Sequence, residues 1–186
     1  MKIGFVGTMS VGKTTLVKAL AELSQFSDYY IATERSKYLR DLGIPLNTDS
    51  TFPGQIIFLA ERASEILREN LLTDRTIWDV CAFTLNAKSI NHFEKKVFTD
   101  AAVLMKSHYD IVFYVDPEGV EVEDNGVRTT DLAYRDQIDA TINNLLNEYP
   151  PTTLYKIKGT TEERIRMVLE AIDKYLYKTQ TTTITL

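Results

Sequence analysis

The chain has little of what staples a fold, spans a membrane or binds by bulk charge. Of its 186 residues only Cys81 is a cysteine, so no internal disulfide can form. A lone thiol suits a reducing compartment, and a cytoplasmic location is expected. Histidine is nearly absent, and neither His92 nor His108 has a cysteine or carboxylate at ligand spacing. No H-E-x-x-H, C-x-x-C or G-x-S-x-G occurs, which removes support for zinc-hydrolase, thiol-redox and serine-hydrolase chemistry. No apolar run reaches the ~18 residues a membrane span needs. The start MKIGFVGTMSV lacks the apolar run and cleavage site of a signal peptide, so no membrane association is expected. Lysine and arginine total 21 against 26 acidic residues, a net charge of −5. A general nucleic-acid binder carries a basic excess or stripe, so no stable nucleic-acid binding is expected.

What is present is a regular alternation of short apolar runs and amphipathic stretches. KIGFV (2–6), DYYIAT (28–33), LLTD (71–74), YDIVFYVDP (109–117) and TTLYKIKG (152–159) read as strands. Residues 111–115 are all apolar, as in a strand covered on both faces. Between the strands lie helical patterns, among them QIIFLAERASEILREN (55–70) with the stripe Ile56, Leu59, Ala63, Ile66 and Leu67. The expectation is an α/β fold, a mostly parallel five-stranded sheet flanked by helices. A single domain is expected over 1–178. The remainder, 179–186, is expected to be a tail that either frays or adds an edge strand.

The stretch GTMSVGKT, Gly7 to Thr14, fits G-x-x-x-x-G-K-[ST], the Walker A pattern, at every fixed position, between a strand and a helix. Such a loop turns successive backbone N–H groups toward phosphate oxygens, and the helix start adds to the positive field. Gly7, Met9, Ser10, Val11, Gly12, Lys13, Thr14 and Thr15 are therefore the expected nucleotide cradle. Lys13 reaches the β- and γ-phosphates as a point charge. Thr14 is sited for Mg²⁺ and Thr15 for the α-phosphate.

Ligands of such sheets bind beyond the C-terminal strand ends, so the residues there matter most. Asp74 closes the third strand and is a candidate metal ligand with Thr14. Arg75 beside it offers a rigid fork for an anionic acceptor. Trp78 and Phe83 on the following helix are candidates for stacking an acceptor, with core packing as the alternative. Glu34 and Arg35 follow the second strand, where a carboxylate can orient an attacking group and an arginine can hold charge. In EDNGVRTTDLAYR, Arg128 and Arg135 can belong to a lid that closes over a transferring phosphate and excludes water.

Taken together, GTMSVGKTT, DRTIWDVCAF, YDIVFYVDP and EDNGVRTTDLAYRDQID resemble the P-loop nucleoside and nucleotide kinases over Lys2 to Tyr177. The likeness is to the NadR-like AAA-type ATPase/kinase domain and to thymidylate kinases. It implies a P-loop NTP hydrolase fold with a lid, ATP and Mg²⁺ as cofactors, and a small nucleotide or nucleoside as partner. A homodimer is an allowed assembly. Asp74, Arg75, Ala82 and Phe83 match the acceptor segment of thymidylate kinases, whereas Thr76 stands where an aromatic residue is usual and Val80 where a serine is common. The resemblance further implies a carboxylate role for Glu34, lid roles for Arg128 and Arg135, and an adenine approach by IKGTTEERI (157–165).

Phosphoryl transfer to a (deoxy)nucleoside monophosphate is the leading expectation, because Arg35 and Arg75 supply two forks for a phosphate. A nucleoside acceptor, ribosylnicotinamide included, or an ATPase acting on a macromolecule are the alternatives. A GTPase is disfavoured, since no N/T-K-x-D segment follows a late strand.

Overall fold

The structure, a computed structural model, describes residues 1–33, 35–118 and 131–183. Glu34, and the stretch 119–130 with Arg128, lie outside the described residues. The strands are β1 (Lys2–Val6), β2 (Tyr30–Ala32), β3 (Leu71–Thr73), β4 (Ile111–Val115) and β5 (Leu154–Ile157). They form one sheet in the order β2-β3-β1-β4-β5, and every neighbouring pair is parallel. β1 is thus central, with β2 and β3 on one side and β4 and β5 on the other. Winding changes direction around it, which places the loop after β1 at the crevice where such sheets bind ligands.

The pleat divides each central strand between two cores. Ile3 and Phe5 of β1 join Ile111, Phe113 and Val115 of β4 on one face. That face is covered by α1 (Lys13–Ala21) and α7 (Thr161–Thr183) through Leu16, Val17, Leu20, Val168 and Ile172. Val6, Val112 and Tyr114 point the other way. They meet residues of α2 (Ser36–Asp41), α3 (Phe52–Glu65), α4 (Ile77–Asn86), α5 (His92–Val103) and α6 (Leu132–Glu148). Asp131 caps α6, accepting from the amides of Ala133 at 2.9 Å and Tyr134 at 3.2 Å.

Two segments differ from the sequence expectation. Helix α3 begins at Phe52, with the Thr51 hydroxyl accepting from the Gly54 amide at 3.3 Å, and it stops at Glu65. Its buried side carries Gln55, Phe58, Leu59, Arg62 and Glu65, whereas Ile56 is 41% exposed and Leu67, past the helix end, 82%. Hydropathy assigns charges to solvent, but this helix packs an ion pair inward against the end of β3, so of the expected stripe Leu59 and Ile66 are buried while Ile56 and Leu67 are not. The other difference is at the C-terminus, where α7 runs through Thr183 without a break. Residues 179–183 continue this helix. The hydroxyls of Thr179 and Thr181 donate to the carbonyls of Tyr175 (3.2 Å) and Tyr177 (2.9 Å) one turn back, which lets threonine sit in a helix despite its β-branch.

Candidate active site

The loop Gly7 to Thr14 leaves β1 and enters α1. Glycine is needed at both ends of it. A Cβ on Gly7 would lie 2.8 Å from the carbonyl oxygen of Val115, and Gly12 has φ 83° as the residue before α1. Three separate elements hold the loop. Asp79 of α4 accepts from the Gly7 amide at 3.3 Å, while its other oxygen takes the amide and hydroxyl of Thr76, each at 2.8 Å. The Thr8 hydroxyl donates to the backbone carbonyl of Arg135 at 2.9 Å, tying the loop to α6. Arg164 of α7, nearly fully buried, donates to the carbonyls of Val11 at 2.5 Å and Asp116 at 3.4 Å.

Lys13 folds back over this loop. Its ammonium donates to the carbonyls of Gly7 and Thr8, the latter at 2.7 Å, and lies 3.7 Å from Asp79 Oδ1. Release of these contacts would let the ammonium swing to a bound phosphate on a four-carbon stem. The Thr14 hydroxyl donates to Oδ2 of Asp74 at 2.6 Å, and Asp74 is 1% exposed. These are hard oxygen donors of the kind Mg²⁺ takes. Among the described residues no cluster of three or more His, Cys, Asp or Glu is placed to cage a metal. The pair therefore fits an ion that completes its shell with phosphate oxygens and water.

A cavity of about 390 Å³ joins the loop to the ends of β2 and β3. Met9 to Thr15 line one end; Arg75, Gln55, Phe58 and Phe83 line the other. The Arg75 guanidinium lies 4.9 Å from the Phe83 ring centroid and 5.8 Å from that of Phe58, so apolar faces flank a fixed positive charge. Ser50 also lines the cavity, and its hydroxyl is buried with no hydrogen-bond partner among the described residues. A pocket of this size, lined by polar as well as apolar side chains, suits a small ligand.

The expected residues divide clearly. The cradle residues from Met9 to Thr15 line the cavity together with Asp74, Arg75 and Phe83. Trp78 does not reach it: the side chain is 1% exposed, donates from Nε1 to the Tyr149 carbonyl at 3.0 Å and packs on Tyr109. Five residues along a helix turn a side chain by roughly 140°, so Trp78 and Phe83 cannot both face the cleft. Arg35 also stays outside. Its half-exposed guanidinium pairs with Glu61 at 3.4 Å and lies over the Tyr38 ring, while its neighbours Ser36 and Lys37 line the cavity. Arg135 is buried beside the loop and donates to the Pro117 carbonyl at 3.4 Å rather than lining the cavity. Glu34 and Arg128 fall outside the described residues.

Sequence reasoning missed Lys37, Gln55, Phe58, Asp79 and Arg164. The T-x-x-D spacing of a capping box pointed to Asp79. A buried polar position on α3 would have pointed to Gln55 had the helix face been assigned correctly. Nothing local marks Arg164, which acts across 153 positions of chain. A second cavity, about 410 Å³, is lined by Glu118, Lys158, Gly159, Glu163, Arg166 and Met167, within and beside the segment whose resemblance implies an adenine approach. Next to it, burial raises the Asp116 carboxyl, but Lys156 at 2.7 Å and the Glu118 amide at 2.9 Å outweigh this and hold it below its usual range.

A family profile described as an AAA domain matches residues 2–164. The chain belongs to this family. Solved structures place the AAA domain among known folds. Deoxyadenosine kinase from M. mycoides, with dCMP and a flexible dCDP bound, superposes with a TM-score of 0.63 at 20% identity, over 94% of this chain and 99% of that one. The same enzyme with bound dATP gives 0.61 at 19% identity, over 93% and 100%. The YorR protein of Bacillus subtilis, in complex with phosphorylated GDP, gives 0.58 at 14% identity, over 93% and 96%. At these identities the likeness establishes a shared fold. No curated protein matches the chain.

Proposed function

We propose that this AAA domain is an ATP-dependent kinase that transfers the γ-phosphoryl group to a small nucleoside or nucleotide. One observation carries the reading: the phosphate loop and an acceptor end built from Arg75, Gln55, Phe58 and Phe83 share a single cavity. A hydrolase needs room only for water beside the γ-phosphate. Here the space opposite the loop is lined for a flat, partly polar molecule.

Phosphoryl transfer asks the protein mainly for positioning and charge. The loop amides and Lys13 hold the donor phosphates. Thr14 and Asp74 would hold Mg²⁺, which would supply positive charge to offset the negative charge of the transferring phosphoryl group. An acceptor oxygen attacks the γ-phosphorus in line as the bond to the β-bridging oxygen breaks, and ADP leaves. A hydroxyl acceptor must give up its proton, for which Glu34 is the proposed carboxylate; a phosphate acceptor arrives as the anion. Arg128 and Arg135 are the proposed lid cations.

A nucleoside monophosphate stays the first choice of acceptor, supported by Arg75 and Lys37 at the cavity wall. One observation favours a nucleoside instead: Arg35, the second expected fork, is paired with Glu61 outside the cavity. The fold shared with deoxyadenosine kinase agrees with either acceptor class. A panel of nucleosides and nucleoside monophosphates with Mg-ATP, read as ADP formation, tests the proposal, with Lys13→Ala as control. Acceptor-dependent turnover that the variant loses is expected. Turnover indifferent to every acceptor would contradict it.

A further inference from the structure

Helix α3 buries two charged side chains that no substrate contact explains. Arg62 is 1% exposed, and its guanidinium donates to Glu65 one turn along. An ion pair taken out of water stabilises a fold less well than apolar packing of the same volume. What this pair touches suggests why it is there. Oε2 of Glu65 lies 3.1 Å from the Thr73 hydroxyl oxygen, and that oxygen lies 2.9 Å from the backbone carbonyl of Arg75. A hydroxyl has one proton, so Thr73 donates to one of these at a time, but both acceptors fix where its oxygen sits. Thr73 is the last residue of β3, directly before Asp74 and Arg75. In the other direction, Arg62 is 3.8 Å from Glu61 Oε2, and Glu61 Oε1 is 3.4 Å from Arg35.

We propose that Arg62 and Glu65 are positioning residues: through Thr73 they set the Asp74–Arg75 turn, and through Glu61 they tie it to Arg35 beyond β2. The ends of two strands are thereby held as one unit across α3. Sheet hydrogen bonds alone do not reach Arg75 and Arg35, because the last bond of the β2–β3 ladder is from the Asp74 amide to the Ala32 carbonyl at 3.1 Å. The role of the turn in transfer rests on the kinase reading above, but the placement of Asp74 can be read without any acceptor.

Thr73→Val keeps the shape and removes the hydroxyl; Thr73→Ser restores it. The first readout is the Mg²⁺ concentration that half-saturates binding of a fluorescent ATP analogue. Losing one buried hydrogen bond at the turn should raise it about tenfold in Thr73→Val, with Thr73→Ser close to wild type. The second readout is acceptor KM, expected to rise more than ATP KM. Glu65→Gln should shift both in the same direction, and it is judged alone if Thr73→Val does not fold. A folded Thr73→Val with wild-type Mg²⁺ dependence would overturn the proposal. Failure of both variants to fold would make the cluster a folding element and overturn it too. Wild-type protein that binds Mg-ATP yet transfers nothing would remove the kinase reading and leave the Mg²⁺ readout to decide this one.

Discussion

The Thr14 hydroxyl and the Asp74 carboxylate meet at 2.6 Å although 60 positions separate them in the chain. The contact exists because β1 and β3 are parallel neighbours, so the first turn of α1 and the end of β3 emerge on the same edge of the sheet. Asp74→Asn can still accept the Thr14 hydrogen bond through its amide oxygen but removes the carboxylate's negative charge. Turnover should fall roughly a hundredfold, and the Mg²⁺ requirement should rise, as expected for loss of a metal-ligand charge. Titrating activity against Mg²⁺ checks it; a variant with unchanged Mg²⁺ dependence removes Asp74 from the metal site.

At the far end of the cavity, Arg75 is held against Phe83 and Phe58. Arg75→Ala should raise acceptor KM about tenfold or more, the usual worth of a charge-assisted contact, while leaving ATP KM unchanged. Steady-state kinetics with each substrate varied in turn separates the two. Equal loss for both substrates would mean that Arg75 shapes the whole cleft rather than the acceptor end.

Trp78 gives the opposite expectation. Trp78→Phe loses the hydrogen bond to the Tyr149 carbonyl, worth about 1 kcal/mol, and keeps most of the packing on Tyr109. Chemical denaturation should register that loss, and both KM values should stay at wild type. A selective rise in acceptor KM would return Trp78 to the acceptor site.

Cys81 sits on α4 with 1% exposure, and burial pushes its thiol up to about 12. The thiolate is the reactive form, so at neutral pH the folded protein should resist a thiol reagent that labels the denatured chain fully. Rapid labelling of native protein would show that α4 opens locally and that the wall of the cavity is less fixed than its packing implies.

These residues also mark where the sequence is readable. The phosphate loop is a local pattern, and β4 is apolar throughout, so both are visible without tertiary context. Arg75 and Phe83 were reachable from strand-end logic, since the C-terminal edge of a parallel sheet is where side chains converge. Arg35 follows the same logic and still stays outside the cavity. Its rotamer answers to Glu61 on α3, a partner from a different element. The inward face of α3 was only partly legible, through Leu59 and Ile66, for a related reason: Arg62 and Glu65 satisfy each other and Thr73 inside the protein, which periodicity of hydropathy cannot register. Arg164 is further still from local information, because its acceptors, Val11 and Asp116, become neighbours only when β1 and β4 pair.

The central claim is that the γ-phosphate is transferred and not released. Following γ-labelled ATP through turnover with the best acceptor of the panel tests it directly. The account predicts label on the acceptor product in step with ADP formed, and little as orthophosphate. Label recovered only as orthophosphate, whatever acceptor is present, would contradict it.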